Sequence, residues 1–252
     1  MRTTSAACFL VSSLAAAPHV QAAWYYEATT TAEGQGAPGG ASSVRAWVDG
    51  ANARIEMTEG GQSGFLEAGT YLLTHDGGDT LYVVDPSDRT ISEIDLAQIF
   101  QMAGNMAAMT GGMVDMQFKD FTSEQLAQEP GEDVLGYPTT RYRFRTGYTM
   151  SIGVLGMTRE NRNETEHDVL CTDAIDAAGF GVWLRPDRFR TGNEDMDRMI
   201  EQQLDLDCVP LRNRAVTTVV DGRGRESTVT TTTEVTALRE EDAPAEAFVL
   251  PA

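Results

Sequence analysis

The chain has 252 residues, 38 acidic against 19 basic side chains and a formal charge of −19, and Lys119 is its one lysine among arginines. So acidic a surface repels nucleic-acid backbones and anionic headgroups at long range, which sets nucleic acid aside as a partner and points to a well-solvated exterior. The length beyond the first twenty-odd residues suits one large β domain with a real core, and no Pro- or Ser-rich linker divides it.

The first element is a processing segment. Arg2 supplies a small positive region, residues 6–17 (AACFLVSSLAAA) an apolar stretch, and Val20-Gln21-Ala22 small residues at the −3 and −1 positions of a cleavage site. Twelve residues are too few to cross a bilayer, which takes about 20. The expectation is a cleaved secretory leader over residues 1–22, a single domain over 23–252 and a periplasmic location. Cys8 has only seven residues before it, too few for the apolar core of a lipoprotein signal, so no lipid anchor is expected.

Residues 24–32 (WYYEATTTA) open the domain as an aromatic, Thr-rich strand, and residues 34–40 (GQGAPGG) form a loop. Residues 44–95 then read as a ladder of short alternating strands: SVRAWVDG, ARIEMTEG, GTYLLTHDGG and DTLYVVDPSDRTISEID. Each run is rich in Val, Ile, Tyr and Thr and ends in Gly, Asp or Pro, the pattern of an antiparallel meander with tight turns. Asp95, with Gln98 three residues on, can cap a helix over residues 96–110, which Gly111-Gly112 stops.

Residues 113–121 are a further strand. After a Glu-Pro-Gly turn, residues 133–146 place Tyr142 and Phe144 opposite Arg141, Arg143 and Arg145. Residues 148–154, 164–171 and 179–184 read as more strands. Asn193 can cap a second helix that carries Met196, Met199, Ile200, Gln203 and Leu204 on one stripe. Two long Thr/Val-rich strands follow at residues 211–220 and 226–238, and an apolar tail, Ala247-Phe248-Val249-Leu250-Pro251, is expected to dock on the sheet. Helices that do not alternate with strands argue against a βαβ sheet. The expected fold is mainly β (α+β): a curved antiparallel half-barrel of about nine to eleven strands, its concave face covered by two helices.

The order WVDGANARIEM, DTLYVVDPSDRTISEI, a Met-bearing helix, VLGYPTTRYRF, VWLRP, CVPLRNRAV and EVTALREEDAPAEAFVLPA resembles the bacterial domain of unknown function family 4412, akin to the LolA-type lipoprotein-sorting proteins. The resemblance covers most of residues 23–252. It implies a half-barrel whose concavity, in the better-known relatives, binds acyl chains, and it brings no catalytic residue with it. The Cys pair and the acidic surface are departures from that pattern.

Chemistry is sparse. Ile99, Met102, Met106, Met109, Met113 and Met116 recur at steps of three and four, which up to Gly111 make one helical face. Methionine is unbranched and polarisable, so such a face can repack around ligands of different shape, and each shielded side chain contributes about 1.5–3 kcal/mol. A hydrophobic-ligand site is expected from Ile99, Phe100, Met102, Met106 and Met109 facing Met196, Met199, Ile200 and Leu204; plain core packing explains the same stripe. A soft cation such as Cu(I) is a remote third reading. His75, in a turn, and His167, at a polar strand start, are expected to be solvated, and the Arg141, Arg143, Arg145 row to pair with acids on neighbouring strands.

Beyond the leader the cysteines are Cys171 and Cys208, an even count that favours a disulfide. It would close a loop of about 38 residues and stabilise by up to about 4 kcal/mol. Gly61-Gln62-Ser63-Gly64-Phe65 lacks the last glycine of a nucleophile elbow, and no zinc-protease or phosphate-loop motif occurs. No enzyme activity and no cofactor are expected. The functional expectation is a non-catalytic periplasmic binder of a hydrophobic molecule, a lipid or lipoprotein acyl chain. An envelope scaffold with a self-filled core, partnered by another envelope protein, is the alternative.

Overall fold

The structure, a computed structural model, describes residues 22–35, 37, 40–59, 67–78, 80–94, 114–154, 157–175, 206 and 208–251. Eleven strands carry it: β1 (Ala22–Gly34), β2 (Ala41–Asp49), β3 (Asn52–Glu59), β4 (Tyr71–Thr74), β5 (Leu81–Asp85), β6 (Thr90–Ile94), β7 (Val114–Pro130), β8 (Thr140–Val154), β9 (Met157–Thr172), β10 (Val209–Val220) and β11 (Glu226–Asp242). All join one antiparallel sheet in the order β6-β5-β4-β3-β2-β1-β11-β10-β9-β8-β7. Two meanders, β1 to β6 and β7 to β11, therefore meet where the first strand pairs with the last.

This corrects the expected fold. The sheet is open, with β6 and β7 as its edges, and no helix occurs among the described residues. Both expected helices, the expected strand at 179–184 and all of the expected leader but Ala22 lie outside the described residues. The strands are also longer than local pattern indicates. The segments read separately at 133–146 and 148–154 run together as β8 across Gly147, because ladder hydrogen bonds continue on both sides of it. The start of the first of these is instead a tight turn, with Val134 and Tyr137 exchanging backbone bonds of 3.0 and 2.9 Å.

Facing residues in an antiparallel ladder project to the same side, so the register divides the sheet into two surfaces. Trp24 and Tyr26 of β1, Val48 of β2, Ala53 of β3, Leu211 of β10 and Val235 and Leu238 of β11 pack together on one side, with Ile175 against them. Burial there pushes the Tyr26 phenol up to about 12. On the other side Tyr71, Leu73 and Val84 receive Phe248 and Leu250, so the apolar tail docks as its composition predicts. Arg54 fastens that tail by donating to the Glu246 carbonyl at 3.4 Å.

Next to the tail, aromatic rings and guanidinium groups interleave. Tyr25 and Trp47, opposite each other in register, have ring centroids 5.2 Å apart, with Arg239 4.1 Å above Tyr25 and Arg45 5.6 Å from Trp47. Arg54 lies 3.8 Å over Tyr71. At the end of β1 the backbone needs glycine: Gly34 has φ +120°, and a Cβ there would lie 2.2 Å from the Thr228 carbonyl oxygen.

Cys171 and Cys208 form the expected disulfide, with Cα atoms 5.7 Å apart. It ties the end of β9 to the start of β10 around the long connection between them. A separation of 37 residues corresponds to about 4 kcal/mol on the loop-entropy account. Reduction, or a Cys171→Ala/Cys208→Ala variant, is expected to lower the unfolding free energy by about that amount and the urea midpoint in proportion; a midpoint unchanged by dithiothreitol contradicts it.

Candidate functional site

The alternation of β8, β9 and β10 builds two different surfaces back to back. On the apolar side Phe144 of β8 stands opposite His167 of β9, and Val169 opposite Asn213 of β10. A bulge between Pro210 and Arg212 admits Leu211 to the core as an extra residue. With Leu206, Cys208 and Val235 these residues line an open groove of about 280 Å³.

Two polar side chains sit in it. The His167 imidazole stacks on Phe144, with centroids 4.5 Å apart and planes 13° from parallel. Burial depresses its affinity for a proton, an effect the nearby Asn213 amide partly offsets. Yet His167 Nε2 and Asn213 Oδ1 are both buried without a well-formed hydrogen bond: the two groups are close but misaligned. The expectation of a solvated His167 is thus corrected. Its sequence neighbours Glu166 and Asp168 are polar because they face the other way. His75 is exposed as expected, its Nδ1 3.3 Å from Asn52 Oδ1.

That other side carries the arginine row, of which Arg141 and Arg145 pair with acids of β9 as expected, while Arg143 forms no ion pair among the described residues. Arg141 forks onto Asp168, with Nε donating to Oδ1 at 2.8 Å and Nη2 to Oδ2. Arg145 donates through Nε to Glu166 Oε1 at 3.1 Å and approaches Glu164 at 3.5 Å and Glu124 at 3.8 Å. Hydrogen bonds from these guanidinium groups hold the Asp168 and Glu166 carboxyls below the ordinary carboxylate range.

Of the residues expected to form a ligand site, Ile99, Phe100, Met102, Met106, Met109, Met196, Met199, Ile200 and Leu204 lie outside the described residues. The groove residues went unassigned, although the Arg/aromatic alternation of residues 141–145 already separates Phe144 from the arginines. Leu211 and Val235 carried no signal, because their placement depends on bulges. Among the described residues no cluster of His, Cys, Asp and Glu is arranged to hold a metal ion, and no helix is long and apolar enough to cross a membrane.

No protein-family model and no curated protein sequence matches the chain, so membership of the domain of unknown function family 4412 is not shown. Among solved structures, the chain is similar to a LolA superfamily protein from Nitrosomonas europaea, at 11% identity over 91% of each chain with a TM-score of 0.34. A likeness at that level assigns neither family nor function.

Two pH effects follow. Asp168 is depressed, so its contribution to stability is complete above the unfolded carboxyl value of about 4 and disappears as pH falls through its lower folded value. Arg141→Gln is expected to flatten that acid limb in urea titrations; an unchanged slope contradicts the pairing. His167 is depressed as well, so its neutral form favours folding above about pH 6.5 and the benefit fades as pH falls below it. Its ring C–H proton signal should titrate below the ordinary imidazole value of about 6.5, and a midpoint at or above that value would contradict the burial.

Proposed function

We propose that the protein is a non-catalytic binder of a hydrophobic molecule, a lipid or lipoprotein acyl chain, held against the apolar side of the sheet. The observation that carries this reading is the groove between Phe144 and Val235, lined by an imidazole and an amide whose Nε2 and Oδ1 atoms have no aligned hydrogen-bond partner among the described residues. A buried polar atom left unpaired costs about 1–3 kcal/mol, and a ligand hydroxyl or amide seated there would recover it. Apolar contact adds about 25 cal/mol per Å² removed from water. The volume, about 280 Å³, falls just under the usual range for drug-sized ligands of about 300–1,000 Å³, which favours a single acyl chain over a two-chain lipid.

The disulfide supports an oxidising compartment, and with the leader-like residues 1–22 it favours the periplasm. The competing reading, an envelope scaffold that fills its own apolar surfaces, is supported by the tail residues Phe248 and Leu250 occupying the cluster on the opposite side.

Binding is tested with a fluorescent fatty acid on the mature chain, alongside native mass spectrometry of protein taken from the periplasm. Saturable uptake is expected, weakened about tenfold or more by Val235→Glu, which places a charge in the groove. A second variant, Phe144→Leu, keeps an apolar side chain at that position and is expected to fold and to weaken uptake less. No uptake by the wild-type chain, together with a clean apo mass, overturns the reading in favour of the scaffold.

A further inference from the structure

The arginines of β8 and β10 bracket the acids of β9. In register, Arg141 and Arg212 flank Leu170, Arg143 and Arg214 flank Asp168, and Arg145 lies beside Glu166. The acids are allotted unevenly. Arg141 takes Asp168, Arg145 takes Glu166 and Arg212 takes Glu132. Arg143 and Arg214 are exposed and take no carboxylate among the described residues. In a chain with 38 acids and 19 bases, two cations flanking one aspartate without an ion pair among the described residues call for an explanation, even though Arg143 adds to the positive field on Asp168 and Glu166.

Both open onto a pocket of about 270 Å³ that also reaches Arg141, Asp168 and Glu166. Leu126 and Val216 form its apolar margins. Two strand spacings, about 10 Å, separate the backbones of Arg143 and Arg214, so their long side chains can converge on one anion. We propose that Arg143 and Arg214 form a cradle for a phosphate-type dianion.

The stoichiometry of oxygens selects phosphate over carboxylate. A single carboxylate is satisfied by one guanidinium fork, as Arg141 shows with Asp168. A phosphate monoester offers three acceptor oxygens and a charge of about −1.5 to −2, enough for two. The carboxylates inside the pocket are already matched by Arg141 and Arg145, which leaves the net local charge positive. The overall charge opposes approach at long range, but at physiological ionic strength the screening length is about 8 Å, so contacts inside the pocket decide binding. Exposed pairs are individually weak, which sets the expected affinity for free phosphate near the millimolar range, in order of magnitude. The phosphate belongs either to a soluble ester or to a lipid headgroup of the phosphatidic acid type. This site opens on the arginine-bearing side of the sheet and shares only His167 with the lining of the apolar groove, so its test does not depend on uptake of a hydrophobic molecule.

The test titrates the folded mature chain with inorganic phosphate at low salt while following the arginine Nε–H signals by NMR. Arg143 and Arg214 are expected to shift saturably. Arg143→Gln and Arg214→Gln should each weaken binding about tenfold, whereas Arg225→Gln, at a turn where Arg225 pairs with Asp221, should leave it unchanged. In parallel, the chain is sedimented with phosphatidylcholine vesicles with and without phosphatidic acid. Pelleting that needs phosphatidic acid and is lost in the double variant assigns the anion to a lipid headgroup. Phosphate-induced shifts without pelleting assign it to a soluble ester. Neither shifts nor pelleting overturns the proposal. So does a double variant that keeps its circular dichroism spectrum and binds as the wild type does, or a polyglutamate peptide that moves these signals where phosphate does not.

Discussion

The pairing of β1 with β11 is the constraint on which the rest of the sheet depends. Each meander is assembled from strands consecutive in sequence, and apart from the long β9–β10 connection that the disulfide ties, their closures are local. The seam is different: Ala22 faces Asp242 and Gly34 faces Val229, so its partners lie about two hundred residues apart. Closure entropy rises only slowly with that distance, and the side chains along the seam offset it. Thr30 and Thr233 hydroxyls meet at 2.9 Å, Tyr26 and Leu238 enter the same apolar cluster, and Arg239 stacks on Tyr25. Without this ladder the described strands would be two separate half-sheets, each with a second edge to protect, β1 in one and β11 in the other.

Register is what gives the two sides of the sheet their opposite chemistry. A slip of one residue would turn every side chain over, so the bulges have to be placed where the pattern can absorb them. One falls between Glu27 and Ala28, where β11 contributes an extra residue at the seam, and another between Pro210 and Arg212. β9 shows the consequence most clearly. Its odd positions, His167, Val169 and Cys171, serve the groove and the disulfide, while Glu166 and Asp168 hold arginines on the reverse. A hydrophobic surface and a charged one are thus separated by no more than one strand.

Much of this was legible where the physics is local. The turns of residues 44–95, the docking of the tail, the disulfide and the pairing of the Arg141 and Arg145 side chains all follow from alternation, turn residues and charge within short windows. What escaped is non-local. No window of sequence contains both Tyr26 and Leu238, so the seam could not be read, and neither could the order of strands that follows from it. The sequence of β9 hid its half-buried histidine because each position facing the groove is followed by one that serves the other side. Asn213 and Leu211 were hidden for a related reason: the bulge beside them shifts the alternation by one residue, so a strict period of two assigns them wrongly. The half-barrel expectation came from the strand count and the family resemblance, with its covering helices read from capping residues and apolar spacings of three and four; the described strands form an open sheet without them.

The near absence of lysine bears on how so acidic a chain maintains an ordered polar surface. A lysine is a strongly hydrated point charge, whereas a guanidinium is planar, weakly hydrated and able to stack and fork at once. Arg54 does both, lying over Tyr71 while donating to Glu56 at 2.8 Å, and Arg239 does the same between Tyr25 and Glu241, at 2.8 Å from the latter. Exposed ion pairs contribute little by themselves, so a surface of isolated lysine–glutamate contacts would add almost nothing to stability. Rings covered by guanidinium groups that are themselves fixed by carboxylates lose water as well as gaining charge partners, and contacts of that kind contribute about 0.5–1 kcal/mol each even when exposed. The basic residues of this sheet thus act as packing material, with their charge matched by excess acid. Among the described residues Arg143 and Arg214 neither cover a ring nor form an ion pair, a trait they share with Arg89, Arg159, Arg162 and Arg223; what sets them apart is their place on either side of Asp168.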